Sequence, residues 1–459
     1  MPNFKKLAKN YEKCALEALK NLASKNSVYD AKTVSDNAPY GLGVKSALDY
    51  VAKLGKDYGF KVDTCKGYAT EITYGEGNGP LIGVYAHADV VPASGQWKNK
   101  PFEPTIYGEG KEAKIIARGV SDDKGPLIAA LLACKLLKDN NLITNFRIAL
   151  VAGGDEERGS SCLEHYFHVL KKPYCDYGFT PDADFPLIYA EKGIHHAKAL
   201  YQGELGPIIA MDGGVVANAV CDHLLVTLPM DKKFIAAFKE EKIEGDIAEA
   251  GPAMLVTFKG KSAHGSTPEL GKNAALAAFA FLGKYYKIDF LSNLAAKLSD
   301  YSGAGFGGDS VSKELGKATW NYGVIKYESY KKNFSMTIDY RYGEEADPEK
   351  AIKAFSEATK TKVEVGSVAP ILLFDKKSPL VSTLMKSYKR STWKFFDKPM
   401  AIGGGTYAKE AKNCVAFGSA FKGHEGDIHS PNEYLYLDDL YKQIAIYADA
   451  IYSLGQLKK

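Results

Sequence analysis

The stretch LIGVYAHAD, residues 81–89, decides the fold, because its apolar run ends directly at His87 and Asp89. A short apolar run bounded by polar residues is typical of a buried strand. In open α/β sheets, ligands bind at the carboxyl ends of such strands. The stretch therefore predicts a strand that carries a histidine and a carboxylate to the functional edge of a sheet. A metal-bound histidine usually has its other nitrogen held by such a carboxylate.

Further acidic residues and another isolated histidine stand at similar positions along the chain. They occur in SDDKG (121–125), GGDEERG (153–159), TPDAD (180–184) and DIHSPNE (427–433). Zinc binds histidine nitrogen and carboxylate oxygen, and paired zinc ions roughly 3.5 to 4 Å apart need a carboxylate that bridges them. Together these segments predict a site for two metal ions.

Residues 1–190 alternate between helical and strand patterns. One helix is predicted near 43–55 and another over about 126–138, and FRIALVA (146–152) has the pattern of a buried strand. The alternation predicts an α/β fold with a mostly parallel, doubly wound sheet and helices on both faces. The metal-ligand candidates follow its strands, where such a sheet binds ligands.

Residues 191–370 have a different pattern. Strand-like runs such as HLLVTL, AMLVTFKG, ATWNYGVIKY and NFSMTIDYRY alternate with helical segments at 231–242, 273–286 and 348–359. Strands with helices on one side predict a separate α+β domain, inserted as a lid. Residues 371–459 return to the earlier pattern, with the strand CVAFGSAF and a closing helix. The catalytic domain is therefore predicted to be discontinuous, formed by the first and last of these segments.

The composition is that of a globular protein. At 459 residues, with 46% hydrophobic and 25% charged content, the chain has room for two domains. The net charge of +4 is small, so we expect small-molecule partners and neither nucleic acid nor a membrane. Seven cysteines without a CxxC pair argue against a disulfide framework and predict a cytoplasmic location. The apolar spacing from Phe4 to Leu22 predicts an amphipathic helix rather than a signal peptide.

Two pairs of aspartates leave alternatives open. Asp122 stands at the turn that begins the helix predicted at about 126, and it is the best candidate for the bridging carboxylate. Asp122 or Asp123 could instead cap that helix. Asp182 could complete a ligand set, but Asp184 competes with it on the sequence alone.

Glu156 and Glu157 follow a buried strand, so adjacent side chains diverge and can do two different jobs. One can bind a metal while its neighbour acts as a base, and solvated loop charges are the alternative. Of the nine histidines, His87, His264 and His429 stand in motif-like surroundings. The others are interpreted as structural: His165, His168, His195, His196, His223 and His424.

The motifs HAD, RGVSDDKG, GGDEE, PDADFPLIYAEKG, SAHGSTPELGKNA, DYRY, GGGTYAK and HSPNE follow one another along nearly the whole chain. In this order they resemble the signatures of the co-catalytic zinc dipeptidases of the PepV type. These belong to a wider superfamily of carboxypeptidases, aminoacylases and succinyl-diaminopimelate desuccinylases.

The resemblance implies two bound zinc ions, with cobalt or manganese as substitutes. It implies that His87, Asp122 and Asp182 are ligands of one ion. It likewise implies that Asp122, Glu157 and His429 are ligands of the other, so that Asp122 rather than Asp123 is the bridge.

Further roles follow from the same resemblance. Glu156 matches the general base that acts with a hydroxide bridging the metals, Asp89 matches the carboxylate that orients His87, and His264 resembles the histidine that stabilises the oxyanion. Other residues resemble groups that hold the terminal carboxylate of the substrate: Asn218, Arg341, Gly403, Gly404 and Gly405.

The function expected from these features is hydrolysis of unblocked dipeptides by a monomeric, dinuclear zinc enzyme. An N-acyl amino acid deacylase or desuccinylase is the nearest alternative, because the metal core is shared and only the lid pockets differ. A catalytically inactive metal-binding homologue is the alternative from another class.

Overall fold

The computed structural model describes residues 1–458, which divide into two compact units. The first unit contains Met1–Tyr189, Leu373–Met400 and the residues from Thr406 onward. The second contains Ala190–Leu372 and the short segment Ala401–Gly405. The sequence pattern had assigned this short segment to the last part of the catalytic domain.

The sheet of the first unit has a parallel centre. Its adjacent central strands are, in order, Arg147–Gly153, Leu81–His87, Tyr177–Thr180 and Cys414–Ala416. Antiparallel strands flank this centre: Ala69–Tyr74 and Lys61–Asp63 on one side, and Ile188–Glu191 on the other. The short strands Leu372–Leu373 and Met400–Ile402 also belong to this sheet. The α/β prediction is confirmed, and the strand predicted for CVAFGSAF is limited to its first residues.

The helices of the first unit cover this sheet. Lys124–Asp139 is buried along nearly its whole length, because it packs against the strand Leu81–His87 and the helices Glu12–Ala23 and Leu437–Gly455. Its apolar character on most faces follows from that position. The other α-helices are Phe4–Ala8, Leu42–Asp57, Ser161–Glu164 and Pro379–Thr392. Single helical turns lie at Lys9–Tyr11, Ala31–Thr33, Cys65–Gly67, Gly110–Glu112, His165–Val169 and Tyr407–Lys409.

The first unit also contains a small antiparallel sheet. Its strands are Thr105–Tyr107, Lys114–Ile116 and Tyr434–Tyr436. The pairing of Tyr434–Tyr436 with Lys114–Ile116 brings the chain that follows His429 against the chain that precedes Asp122. Across residues 1–458, none of the helices combines the length and apolar character needed to cross a membrane.

The second unit is an antiparallel sheet with helices packed against it. Its strands follow in the order Gly245–Ala250, Ala253–Lys259, His223–Pro229, Ala210–Gly213, Thr319–Glu328, Asn333–Tyr342, Gly193–Gln202 and Lys362–Ala369. The helices are Lys232–Glu240, Ala274–Tyr286, Asp289–Leu298 and Pro348–Thr359. Shorter elements are the hairpin Val311–Ser312 with Gly316–Lys317, and the turns Pro268–Leu270 and Ala304–Phe306.

An aromatic core explains why this unit is compact. Buried and less buried residues alternate along strands such as His223–Pro229, so one face of the sheet packs inward. Trp320 is fully buried, with its ring stacked 3.9 Å from that of Tyr340 and 5.6 Å from that of Phe355. Phe355 belongs to the helix Pro348–Thr359, so these contacts join sheet and helix.

Candidate metal centre

His87 is fixed in position by the end of a fully buried strand. Its backbone N–H donates to Oδ2 of Asp123 at 3.1 Å. Its ring Nδ1 lies 3.0 Å from the backbone carbonyl of Asp89, and Oδ1 of Asp89 is farther away at 3.5 Å. A proton on Nδ1, donated to that carbonyl, leaves Nε2 with the lone pair that a metal needs.

Asp122 lies between two histidines. Its Oδ1 is 2.8 Å from Nε2 of His87, and its Oδ2 is 3.0 Å from Nε2 of His429. Asp123 does not share this position, because its buried carboxylate accepts the N–H of His87 instead. Of the two aspartates, Asp122 is therefore the one with the geometry of a bridge.

Two groups of possible metal ligands share this aspartate. One consists of His87, Asp122 and Asp182, the other of Asp122, Glu157 and His429, and in each the donor atoms lie within 4.8 Å of one another. Nε2 of His87 is 3.8 Å from Asp182, and Nε2 of His429 is 3.1 Å from Glu157. The structure brings together all the ligands that the resemblance implied. Nitrogen and carboxylate donors in this combination suit zinc.

The structure distinguishes Asp182 from Asp184, the two aspartates that the sequence offered as alternatives. Asp182 belongs to a ligand group, whereas Asp184 forms a backbone bridge with Ala420.

The two histidines of the centre differ in exposure, since the side chain of His87 is fully buried and that of His429 is 51% exposed. The centre is therefore open to solvent at His429.

The electrostatics of the centre favour a bound cation. Burial, with the nearby charge of Asp122, raises the pKa of Asp182 to about 7 and also raises that of Glu157. Hydrogen bonds to Asp122 and Glu157 raise the pKa of His429 to about 11. Carboxylates that are buried this closely repel one another, and divalent cations would neutralise that repulsion. The donor set therefore fits metal ions in both chemistry and charge.

Glu156 and Glu157 are held by one carboxylate. Oδ1 of Asp89 accepts the backbone N–H of Glu156 at 3.1 Å, and Oδ2 accepts that of Glu157 at 3.2 Å. Burial raises the pKa of Glu156 well above its ordinary value, and the charge of Asp182 adds to the effect. The adjacent side chains thus differ in position, because Glu157 joins a group of possible metal ligands and Glu156 does not.

The remaining predicted site residues lie in the second unit. The backbone carbonyl of Asn218 accepts the N–H of Gly265 at 2.7 Å, next to His264. His264 is exposed, and its Nδ1 shares a hydrogen bond of 2.6 Å with the hydroxyl of Ser266. A Cβ atom placed on Gly403 would lie 2.7 Å from that of Ser266, so this loop approaches closely.

Arg341 is buried in the same unit and makes several hydrogen bonds. Its Nε and Nη2 donate to the carboxylate of Asp339, and its Nη1 donates to the carbonyl of Gly403 at 2.7 Å. A Cβ atom on Gly265 would lie 2.4 Å from Oδ2 of Asp339, which explains a glycine there. Asn218, His264, Arg341 and Gly403 therefore gather in one region, and Gly404 and Gly405 follow directly in the chain.

Three residues of these surroundings were not singled out from the sequence, although each lies inside a motif quoted above. Asp339 in DYRY pairs with Arg341. Tyr407 in GGGTYAK is fully buried, and its ring lies 6.2 Å from that of His87 at 81°. Glu433 in HSPNE accepts hydrogen bonds from the chain around Asp122. Their positions within these motifs were the signal in the sequence that could have identified them.

Comparison with known proteins identifies the family of this chain. Residues 83–453 match peptidase family M20/M25/M40. A Staphylococcus haemolyticus protein named a putative dipeptidase is 33% identical over 482 positions, covering 98% of this chain and 99% of that protein.

Two solved structures have a similar fold. The dipeptidase Dug1p of Saccharomyces cerevisiae aligns with a TM-score of 0.62 and 13% identity, over 99% of this chain and 98% of that one. The M20 family metallo-carboxypeptidase Sso-CP2 of Sulfolobus solfataricus has a TM-score of 0.59 and 19% identity, over 96% and 99%.

The fold and the paired ligand groups define a centre suited to metal-assisted hydrolysis. The chain belongs to peptidase family M20/M25/M40, and it is a hydrolase of the peptidase class.

Proposed function

We propose that this protein is a dinuclear zinc dipeptidase that hydrolyses unblocked dipeptides. The observation that carries the proposal is the pair of ligand groups that share Asp122, with Glu156 directly beside the ligand Glu157. The dipeptidase names of relatives such as that from Staphylococcus haemolyticus support the same substrate class. A cytoplasmic location and a monomeric state stay predictions.

The residues that would hold the ions are those of the two groups described above. Divalent cations held there would lower the pKa of water to about 7 and polarise the substrate carbonyl. His87 is oriented for this by the carbonyl of Asp89, and the position of Asp122 allows it to give one oxygen to each group.

Glu156 is the proposed general base. It would take a proton from the attacking water and deliver it to the amine that leaves when the peptide bond breaks. Burial and the charge of Asp182 raise its pKa, and perturbed pKa values are typical of groups that accept and return a proton. Asp89 would keep Glu156 and Glu157 in place through their backbone N–H groups.

The second unit is proposed to recognise the substrate. His264 would donate a hydrogen bond to the oxyanion that develops in the transition state. Arg341, Asn218 and the loop Gly403–Gly405 would hold the terminal carboxylate of the dipeptide. Asp339 already occupies one edge of the guanidinium, so Arg341 would use its remaining N–H groups in a fixed orientation.

The test is a substrate panel with purified, zinc-loaded protein and the same protein after chelation. Plain dipeptides should be hydrolysed, chelation should abolish the activity, and added zinc should restore it. N-acetyl and N-succinyl amino acids serve as the matched comparison. Cleavage of the acylated compounds alone would contradict the dipeptidase proposal and indicate a deacylase. Binding of zinc without hydrolysis of either class would indicate an inactive homologue.

A further inference from the structure

Glu433 has a buried carboxylate, and each of its two oxygens accepts two hydrogen bonds. It is 0% exposed, and its neighbour in the ion pair, Arg118, is 1% exposed. Oε2 accepts from Nη1 of Arg118 at 2.7 Å and from the backbone N–H of Gly119 at 2.9 Å. Oε1 accepts the backbone N–H groups of Ser121 at 2.9 Å and Asp122 at 3.1 Å. One side chain thus holds the whole backbone segment that leads to the shared aspartate.

The same residue belongs to the loop that carries His429. Glu433 follows His429 in HSPNE and directly precedes the strand Tyr434–Tyr436. The hydroxyl of Ser121 donates to the carbonyl of Tyr434 at 2.6 Å, which adds a second connection between the two segments. These contacts join the loop of one ligand, Asp122, to the loop of another, His429.

We propose that Glu433 is a positioning residue that sets the distance between Asp122 and His429. This inference rests on the proposed function, because it assumes that the group formed by Asp122, Glu157 and His429 holds a metal ion. The 3.0 Å separation of Oδ2 of Asp122 from Nε2 of His429 is the geometry that Glu433 maintains. Glu433 itself lies outside both ligand groups.

Stability alone does not explain this arrangement. A buried ion pair such as Arg118 with Glu433 often adds little net stability over packed apolar side chains of similar size. Directional hydrogen bonds to successive backbone N–H groups, in contrast, fix where a segment lies. A glutamine at this position would keep one acceptor oxygen and turn an NH2 group toward donors. The shape would be kept, while the hydrogen bonds that one of the two carboxylate oxygens now accepts would be lost.

The experiment compares Glu433→Gln with a matched control, Asp449→Asn. Asp449 is also a buried carboxylate, and it accepts from Nε of Arg390 at 3.1 Å and from the hydroxyls of Ser387 at 3.0 Å and Ser453 at 2.9 Å. None of these partners belongs to a ligand group. Zinc is titrated calorimetrically into metal-free full-length protein, and thermal unfolding of each metal-free variant is measured in parallel.

We expect Glu433→Gln to bind one zinc equivalent roughly 10- to 100-fold more weakly than the wild type. Excess zinc should restore its dipeptidase activity. Asp449→Asn should lower the unfolding temperature and leave both zinc affinities unchanged. Wild-type affinity for both ions in Glu433→Gln, or an equal loss in the two variants, would overturn the positioning role.

A milder variant covers the case in which Glu433→Gln does not fold. Glu433→Asp keeps the charge but shortens the side chain by one methylene, so it should also weaken one zinc equivalent. Unchanged zinc binding in Glu433→Asp would overturn the proposal. A wild-type chain that binds no zinc would overturn the proposed function and this inference with it, whereas zinc-binding wild type and unaffected variants would overturn the inference alone.

Discussion

Nε2 of His87 lies 2.8 Å from Oδ1 of Asp122, although 35 positions separate the two residues in the chain. One comes from the end of a buried strand and the other from the turn that begins the helix Lys124–Asp139. Because Asp122 faces His429 with its other oxygen, this contact is half of the arrangement from which the proposed chemistry follows.

Asp182 and Asp184 provide a matched pair for the first ligand group. Asp182→Asn should reduce the bound zinc from two equivalents to about one, because a neutral amide oxygen is a much weaker ligand than a carboxylate. Asp184→Asn should keep both ions, since Asp184 lies outside the ligand groups. Metal analysis after dialysis measures the difference, and full zinc content in Asp182→Asn would remove that residue from the ligand set.

Glu156→Gln should bind both zinc ions and lose turnover. Without a group that transfers the proton, kcat should fall by roughly 10²- to 10⁴-fold. Steady-state kinetics and metal analysis of the same sample separate chemistry from metal loss. The exposed Glu164 on the following helix is the control, and Glu164→Gln should be fully active. An active Glu156→Gln enzyme would assign the proton transfer elsewhere.

Asp89→Asn should weaken the support of the loop at Glu156 and Glu157. The amide would turn an NH2 group toward one of the two backbone N–H donors that the carboxylate now accepts. Losing a hydrogen bond to a charged group costs about 1.5 to 3 kcal/mol. We expect kcat to fall about 10- to 100-fold, in keeping with that range. Wild-type kinetics would show that the position of Glu156 does not depend on Asp89.

Arg341→Lys should raise KM more than it lowers kcat. Lysine lacks the planar fork that contacts both Asp339 and the carbonyl of Gly403, so the proposed carboxylate site would lose its shape. Arg390→Lys is the control, because Arg390 pairs with Asp449 instead. Kinetics on one dipeptide measure both variants, and an unchanged KM in Arg341→Lys would contradict a role in substrate recognition.

The fold class could be predicted because buried parallel strands leave a strong pattern. Runs such as residues 81–86 and 148–152 lack charged residues, and the structure has strands at Leu81–His87 and Arg147–Gly153. The ends of the helices and strands were harder to predict. The predicted helix from Phe4 to Leu22 is interrupted by the turn Lys9–Tyr11, a change in local hydrogen bonding that hydrophobic spacing does not record.

The candidate site could be located from the sequence, but its supporting contacts could not. Histidines and acidic residues at predicted strand ends can be identified in the sequence, whereas the hydrogen-bond partner of a buried side chain depends on the folded backbone. In the sequence, Asp123 and Glu433 look like ordinary acids near the candidate ligands, and only the structure shows that they accept backbone N–H groups. The spacing of Asp339 and Arg341 places both side chains on one face of a strand, but only the structure shows that they bind each other.

Crystals of the zinc-loaded protein, measured for anomalous scattering at the zinc absorption edge, test the central claim most directly. We predict two anomalous peaks roughly 3.5 to 4 Å apart, with one oxygen of Asp122 bonded to each. A single peak, or an Asp122 carboxylate bonded to neither or to only one ion, would contradict the account.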